Sequence, residues 1–274
     1  MAVTMADISK LRKMSGAGMM DCKNALEEAN NDFEKAMEII RKKGQAVAAK
    51  RSDREASEGC VLAAVNGDFA AIVALKCETD FVAKNADFVA LTQNILNVAL
   101  QNKPANIDEL LAAKVDGSAI SELITDRIGV TGEKMELGYY EFVKGGSPVA
   151  YIHPGNKLAT IAAFNRDDVD TQMGKDITMQ IAAMSPIAIS PEEVPANVIE
   201  KELEIARDKA RQAGKPENLL DKIAEGSLGK YYKENTLLQQ EFVKDNKQTI
   251  DQYLKSANKD LTVTAFKRVT LNLE

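Results

Sequence analysis

The fold is organised around a six-residue segment that reads Thr79-Asp80-Phe81-Val82-Ala83-Lys84. Before it, residues 69–77 form a largely apolar run, which is typical of a buried strand. After it, apolar residues recur at steps of three and four, which predicts a long helix: Phe88, Leu91, Ile95 and Val98. The segment therefore lies at a strand-to-helix junction, where either Thr79 or Asp80 can cap the helix with a side-chain oxygen.

Phe81 falls in the first turn of the predicted helix, and two roles are open to an aromatic side chain there. Phe81, Phe88 and Ile95 are spaced seven residues apart, so on one continuous helix they share a face. That spacing favours burial of Phe81 in the core. The alternative is that Phe81 projects from the exposed start of the helix into a partner.

Residues 1–45 are predicted to form a small domain of three helices. Thr4 and Asp7 have the spacing of a capping box, and Asp32 is placed to cap a third helix that we expect to end at residues 42–44, Lys42-Lys43-Gly44. In size and pattern the unit resembles a ubiquitin-associated domain. Residues 46–58 are charged and lack a clean apolar stripe, so we expect a linker, helical at its start, that tethers this domain to the rest.

A glycine-rich turn separates the first two helices, and it reads Ser15-Gly16-Ala17-Gly18. The methionine pair Met19 and Met20 follows it. Flexible Met side chains suit adaptable apolar contacts, although we expect at least one of the two to lie in the core. A phosphate-binding loop is the weaker interpretation, because no strand precedes the turn and the P-loop lysine and hydroxyl are missing.

Composition limits the possible classes of protein. The chain has 274 residues, 45% of them apolar, which allows about two domains with substantial cores. A net charge of −6 argues against a broad nucleic-acid surface. The sequence has neither an apolar run of about 18 residues nor a signal-peptide pattern at its start. Three widely spaced cysteines suit a reducing compartment and lack metal-ligand spacing: Cys22, Cys60 and Cys77. We therefore expect a cytoplasmic protein that contacts neither membrane nor nucleic acid directly and holds no metal or cofactor.

The middle of the chain alternates strands and helices, which predicts an α+β fold with antiparallel sheets. Hairpin signals occur at Asn66-Gly67-Asp68 and at residues 153–156, His153-Pro154-Gly155-Asn156. The two strand and helix blocks resemble two related halves of one core. We predict a first core subdomain over residues 59–130 and a second over residues 131–184 and 233–274, with residues 261–273 as its last strand.

Residues 185–232 are predicted to be an inserted helical hairpin of the coiled-coil type. Its apolar residues recur at steps of three and four on each arm: Ile199, Leu203, Ala206, Ala210 and Ala213, then Leu220, Ile223, Ser227 and Tyr231. Such thin seams bury little surface by themselves. Packing against the core, a contact with a second copy and a contact with another partner all remain open.

Two stretches of the sequence resemble the signatures of the elongation factor Ts family, the bacterial guanine-nucleotide exchange factors for elongation factor Tu. One is Cys77 with residues 79–84, and the other is Leu11-Arg12 with residues 15–23. The family usually has Thr where Ser15 stands. The resemblance spans nearly the whole chain. It implies a core of two α+β subdomains and, in some members, dimerisation through the hairpin. Some relatives carry a further C-terminal helix, which is not predicted here.

The resemblance also implies which residues contact the partner. Asp80 and Phe81 are the pair that disturbs the partner's magnesium and nucleotide site. The N-terminal domain meets the partner's nucleotide-binding domain through a set in the second signature: Arg12, Met19, Met20 and Lys23. The second core subdomain touches a more distant domain of the partner near Tyr151 and His153.

Two other classes of function are alternatives to an exchange factor. An enzyme with an α+β core needs a nucleophile and base, a metal cluster or a nucleotide loop, and the sequence indicates none of these. His153 is the only histidine, and its Pro-Gly-Asn turn is typical of a surface residue. An RNA-associated translation protein is disfavoured by the acidic balance. The resemblance therefore remains the basis of the expectation, and it implies a nucleotide exchange factor without covalent chemistry.

Overall fold

A computed structural model describes residues 2–272 and shows a mixture of helices and antiparallel sheets, which confirms the α+β class. The chain begins with three helices: α1 (Met5–Ser15), α2 (Met19–Glu28) and α3 (Phe33–Lys50). Thr4 and Asp7 exchange side-chain to backbone hydrogen bonds, so the capping box is present at the start of α1. The three helices share a small buried cluster that includes Leu11 and Leu26. Their likeness to a ubiquitin-associated domain stays a prediction.

The core follows in two halves. The first half contains β1 (Glu58–Asn66), β2 (Phe69–Cys77), α4 (Asp80–Ala83), α5 (Ala86–Asn102), α6 (Ile107–Ala112), β3 (Lys114–Val115), β4 (Ser118–Ala119), α7 (Ile120–Thr131) and β5 (Met135–Lys144). The second half contains β6 (Gly146–Ile152), β7 (Leu158–Phe164), α8 (Thr171–Met184), the inserted helices α9 (Ala196–Gln212) and α10 (Leu220–Asn235), then β8 (Glu241–Phe242), β9 (Asp245–Thr249), α11 (Ile250–Ala257) and β10 (Val263–Thr270).

The two main sheets have the strand orders β1-β2-β5 and β10-β7-β6. Asn66 pairs with Phe69, so the first predicted hairpin closes through Gly67 and Asp68. β5 pairs with β2, which extends the first half of the core to Lys144 and corrects the boundary expected at residue 130. Strand periodicity does not reveal which sheet a strand joins. β10 pairs with β7 as predicted, whereas Leu273, in the predicted last strand, lies outside the described residues.

The sheets stack face to face between two outer layers of helices. One apolar cluster joins the facing sides of the sheets and includes Ile72 from β2 and Ile161 from β7. A second cluster packs α5 and α7 on the first sheet, and a third packs α8 and α11 on the second. Because β2 and β7 are covered on both faces, their apolar runs are nearly uninterrupted.

The N-terminal helices dock directly on the core, which corrects the linker predicted over residues 46–58. α3 runs on to Lys50, and its partly buried Val47 and Ala48 pack against the cluster formed by α5, α7 and the first sheet. Gly44, expected to end α3, is buried against Gly129 of α7. A Cβ atom added to Gly129 would lie 2.6 Å from Gly44 Cα, so the two helix backbones touch. Glycine here permits close approach and does not end the helix.

The insertion is shorter than predicted, because its first residues belong to the core. Ala188 and Ile189 are buried, and Ala188 bridges to Thr236, so the projecting hairpin comprises α9 and α10 alone. The two helices pack against each other, with Ala210 and Ala224 buried between them. The predicted seam is incomplete, because Ala213 ends α9 in an exposed position and Ser227 is also exposed. The coiled-coil geometry stays a prediction.

Candidate functional site

The junction between β2 and α4 is fixed by Thr79. Its Oγ1 accepts a hydrogen bond from Val82 N–H at 3.4 Å, so Thr79, and not Asp80, is the N-cap of α4. Thr79 Oγ1 also donates to Glu133 Oε1 at 2.6 Å, and Thr79 N–H donates to Glu133 Oε2 at 3.1 Å. The Cys77 thiol donates to Thr79 O at 3.2 Å. The start of the segment is therefore held by four hydrogen bonds, which involve three polar atoms of Thr79.

Phe81 is 84% exposed, the largest exposed fraction among the large apolar side chains of residues 2–272. The single continuous helix that would have buried it beside Phe88 does not form. α4 ends at Ala83, and Asn85 adopts an extended conformation and caps α5 as a separate helix. Val82 and Ala83 instead turn toward the cluster formed by α5, α7 and the first sheet. The spacing argument for a buried Phe81 is therefore wrong, because the helix is interrupted.

Asp80 and Lys84 form an ion pair across this short helix. Lys84 Nζ donates to Asp80 Oδ2 at 2.6 Å, in an i to i+4 arrangement. This hydrogen bond, with a smaller contribution from the charge of Lys157, lowers the pKa of the Asp80 carboxyl below its ordinary value. Asp80 is therefore an ionised side chain beside Phe81, and it stabilises the turn through Lys84.

The methionine pair lies on the outer face of α2. Met19 is 45% exposed and Met20 is 64% exposed, so the expectation that at least one of them is core is wrong. The buried face of α2 is formed by Cys22, Ala25 and Leu26. Gly18 caps the start of α2 without a side chain, which leaves both methionines in the exposed first turn.

Arg12 and Lys23 are also exposed, on the α1 and α2 helices respectively. Lys23 forms a long surface ion pair with Glu27, at 3.7 Å. Such a pair between exposed side chains contributes little to stability. Both cations are therefore available to a partner on the same three-helix domain as the methionine pair.

The C-terminal end of α7 connects the two signature regions. A Cβ atom on Gly16, in the turn before the methionine pair, would lie 3.7 Å from Val130 Cγ2. Three residues further on, Glu133 holds Thr79. The structure thus places the glycine-rich turn and the Thr79–Lys84 segment against residues 130–133.

Tyr151 and His153 lie at the end of β6, where Tyr151 Oη and His153 Nδ1 are 2.9 Å apart. The turn after them reaches the first half of the core, since Val61 N–H donates to Asn156 O at 2.7 Å and Lys157 pairs with Glu58. Within residues 2–272, no hydrogen bond or ring contact joins Tyr151 or His153 to Phe81. The turn after β6 therefore lies in the neighbourhood of Asp80, whose carboxyl is influenced by the charge of Lys157. Tyr151 and His153 themselves are not bonded to Phe81.

The groups around the segment are poorly suited to covalent chemistry. Burial, followed by the charge of Glu133, raises the pKa of the Cys77 thiol to about 12, and burial raises that of Cys60 to about 11. A reactive cysteine needs the opposite shift. Over residues 2–272, no cluster of three or more His, Cys, Asp or Glu side chains has an arrangement that could bind a metal ion. In the same range, no helix has both the length and the apolar character needed to cross a membrane.

Glu133 is a site residue that the sequence did not indicate. It follows Gly132, the left-handed C-cap of α7, and its contact with Thr79 spans 54 positions of the chain. No periodicity or local motif links the two positions. Thr79 itself was recognisable as a cap, but its second partner was not.

Comparison with known proteins places the chain in a family. Residues 78–272, which include the Thr79–Lys84 segment, match the family model described as Elongation factor TS. The chain belongs to the elongation factor Ts family. Members of this family are elongation factors of protein biosynthesis.

Relatives named elongation factor Ts extend the match to the N-terminal helices. The protein from Porphyromonas gingivalis is 72% identical over 275 residues, with all of both chains covered. Those from Azobacteroides pseudotrichonymphae and Parabacteroides distasonis are 57% and 48% identical, over 274 and 331 residues, again with both chains covered in full. The elongation factor Ts family therefore accounts for both signature regions.

Proposed function

We propose that this chain binds elongation factor Tu in its GDP form and promotes release of GDP, so that GTP can bind. Membership of the elongation factor Ts family implies a nucleotide exchange factor for elongation factor Tu in translation elongation. The observation that carries the proposal is Phe81, a large apolar side chain that is 84% exposed on a turn fixed by Thr79 and Glu133. An aromatic side chain presented in this way can serve as an anchor in a pocket of the partner.

The proposed working element is the segment Thr79–Lys84. Phe81 enters an apolar slot of the partner, and Asp80 keeps the turn in place through Lys84. Insertion there disturbs the partner's magnesium and nucleotide site. Catalysis of release then requires that the segment bind most tightly to the nucleotide-free form of the partner.

Two further surfaces are proposed to contact elongation factor Tu. Met19 and Met20, flanked by Arg12 and Lys23, offer flexible apolar side chains beside positive charge on the N-terminal domain. The second core subdomain contributes Tyr151 and His153. Contacts of this kind hold the factor on its partner while Phe81 acts at the nucleotide site.

Exchange of this type involves no covalent step. If the factor weakens GDP binding to its partner, GDP must weaken binding of the factor by an equal factor, because the two equilibria are linked. The factor therefore need not distinguish GTP from GDP. A cellular excess of GTP sets the direction.

Nucleic acid is proposed to play no direct part in the exchange reaction.

The projecting hairpin is proposed to mediate a homodimer. A groove of about 460 Å³ lies between α9 and α10, with Ile205, Leu228 and Tyr231 in its lining. Removing the two helices should abolish any dimer and leave exchange intact. Light scattering gives the molar mass, and hence the number of chains per particle, for the full chain and for the shortened chain. If both form particles with the same number of chains, the hairpin is excluded as the dimer contact.

The exchange function is tested with elongation factor Tu loaded with a fluorescent GDP analogue. Adding a catalytic amount of the chain together with excess unlabelled GDP should accelerate the loss of fluorescence by orders of magnitude, as expected for an enzyme-like rate enhancement. The chain alone should bind neither GDP nor GTP in a calorimeter. Unaltered release, or micromolar binding of nucleotide to the chain itself, would overturn the proposal.

A further inference from the structure

The carboxylate of Glu133 makes a bidentate hydrogen-bonded contact with the segment that carries Phe81. Its Oε1 accepts from Thr79 Oγ1 at 2.6 Å, and its Oε2 accepts from Thr79 N–H at 3.1 Å. Hydrogen bonds to an ionised carboxylate are shorter and stronger than those between neutral groups. α4 has only four residues, so it cannot maintain its own geometry and depends on such outside contacts.

The contact also decides how Thr79 caps α4. A threonine hydroxyl has one proton and two lone pairs. Since the proton points to Glu133, a lone pair remains to accept Val82 N–H, at 3.4 Å. The carboxylate therefore fixes the rotation of the hydroxyl and, through it, the direction in which the first turn of α4 starts. Phe81 is the second residue of that turn.

Glu133 is itself held in place at the end of α7. Gly132 has a φ of 72° and donates its N–H to Ile128 O at 2.8 Å, which closes the helix. Glu133 N–H donates to Thr131 Oγ1 at 3.3 Å. Through Gly129, the same helix contacts Gly44 of the N-terminal domain. α7 and the residues that follow it thus contact both the N-terminal domain and the Thr79–Lys84 segment.

We propose that Glu133 is a positioning residue for nucleotide release, whose carboxylate holds Thr79 so that Phe81 projects in the direction that the partner requires. This inference rests on the exchange function proposed above. In this role the effect of Glu133 on the rate passes through Thr79, to which both of its carboxylate oxygens are hydrogen-bonded. A misplacement of about 1 Å at a working group can slow a reaction by up to about 100-fold, so loss of this contact should be visible in the rate.

The first test is Glu133→Gln, which keeps the shape of the side chain but leaves one acceptor oxygen for the two Thr79 donors. We expect the maximal rate of stimulated GDP release to fall about tenfold, with little change in the concentration of elongation factor Tu–GDP that gives half-maximal rate. The matched control is Glu136→Gln, on β5, which removes a carboxylate bound to Lys76 and Lys134 and should leave the rate unchanged.

The second test separates positioning from stability. Thr79→Val removes the hydroxyl and should slow release as Glu133→Gln does, whereas Thr79→Ser keeps it and should preserve the rate. Thr79→Val also removes the acceptor of Val82 N–H, so it should be the slower single variant. The double variant Thr79→Val/Glu133→Gln should be no slower than Thr79→Val, because both changes act on the contact between Thr79 and Glu133. Melting curves on the same samples distinguish slow release from loss of folded protein.

Three results bear on the inference separately from the exchange function. If the wild-type chain accelerates release and Glu133→Gln matches it, the positioning role is wrong and the exchange function stands. If Glu133→Gln lowers the rate only in proportion to unfolded protein, the residue is structural and the inference is also wrong. If the wild-type chain itself fails to accelerate release, the proposed function has failed.

Discussion

Phe81 and Phe88 are separated by seven residues, and their surroundings are opposite. Phe88 is fully buried between α5 and the first sheet, whereas Phe81 is 84% exposed. On one unbroken helix the two rings would share a face. The difference shows that a two-residue interruption, Lys84 and Asn85, decides which aromatic stabilises the fold and which is left for a partner.

Asn85 is the residue that creates this interruption. Its backbone is extended, with φ −64° and ψ 133°, and its Oδ1 accepts from Asp87 N–H at 2.9 Å. Arg127 of α7 also donates to Asn85 Oδ1, at 2.8 Å. Asn85 therefore ends one helical segment, caps the next and ties both to α7.

Phe88→Ala should have the largest effect on stability. Removing a fully buried phenyl ring is expected to lower the free energy of unfolding by about 3–5 kcal/mol, because it leaves a cavity beneath the first sheet. Calorimetric melting measures the loss, and Phe164→Ala in the second half of the core is the matched control, with a similar loss expected. GDP release per folded molecule should be unchanged. If fully folded Phe88→Ala protein released GDP more slowly, Phe88 would also act in nucleotide release, which would contradict a purely structural role.

Asn85→Ala should have an intermediate effect. Loss of the cap is expected to lower the free energy of unfolding by about 1 kcal/mol, a shift of about 2–4 °C in melting temperature. Release should also slow, because α4 and α5 are then less sharply separated and Phe81 is less well directed. Asn106→Ala removes an equivalent cap from α6. It should produce the same shift with no change in release, and equal release rates for the two variants would remove Asn85 from the explanation.

Asp80→Asn should have the smallest effect of the three. It weakens an exposed pair with Lys84, so the melting temperature should hardly change, since such pairs contribute little to stability. Release should slow less than it does on loss of Phe81, as the turn loosens. Asp251→Asn breaks a comparable exposed pair with Lys255 on α11 and should leave release unchanged. A large melting shift for Asp80→Asn alone would indicate a structural role.

Much of the fold could be predicted from the sequence, because local patterns determined it. The apolar run of β2, the Gly67 turn and the spacing of α5 each follow from residues close together in the chain. The pairing of β5 with β2 and the contact of Gly44 with Gly129 join distant positions, so they could not be predicted. The sequence favours Gly44 as a helix end, because glycine can either end a helix or allow two helices to approach closely, and the local pattern does not distinguish these roles.

The residues of the candidate site could be proposed from the sequence by resemblance, but their geometry could not be predicted. The segment at residues 79–84 was recognisable by resemblance, whereas its spacing argued that Phe81 was core. A cap residue can start a new helix within a pattern that looks continuous, and Asn85 does so here. Glu133 gave no signal, because a single hydrogen-bonded acid after a helix end has no periodic or local signature.

The most direct test of the central claim is Phe81→Ala, with stimulated GDP release and thermal melting measured on the same sample. Because Phe81 is exposed, its removal should change the free energy of unfolding by no more than about 0.5 kcal/mol. Release should nevertheless slow by about tenfold or more, since an aromatic anchor in a pocket commonly contributes about 2 kcal/mol. Tyr139→Ala, a second exposed aromatic on β5, should alter neither quantity. Normal release by folded Phe81→Ala protein would contradict the claim that Phe81 drives nucleotide exchange.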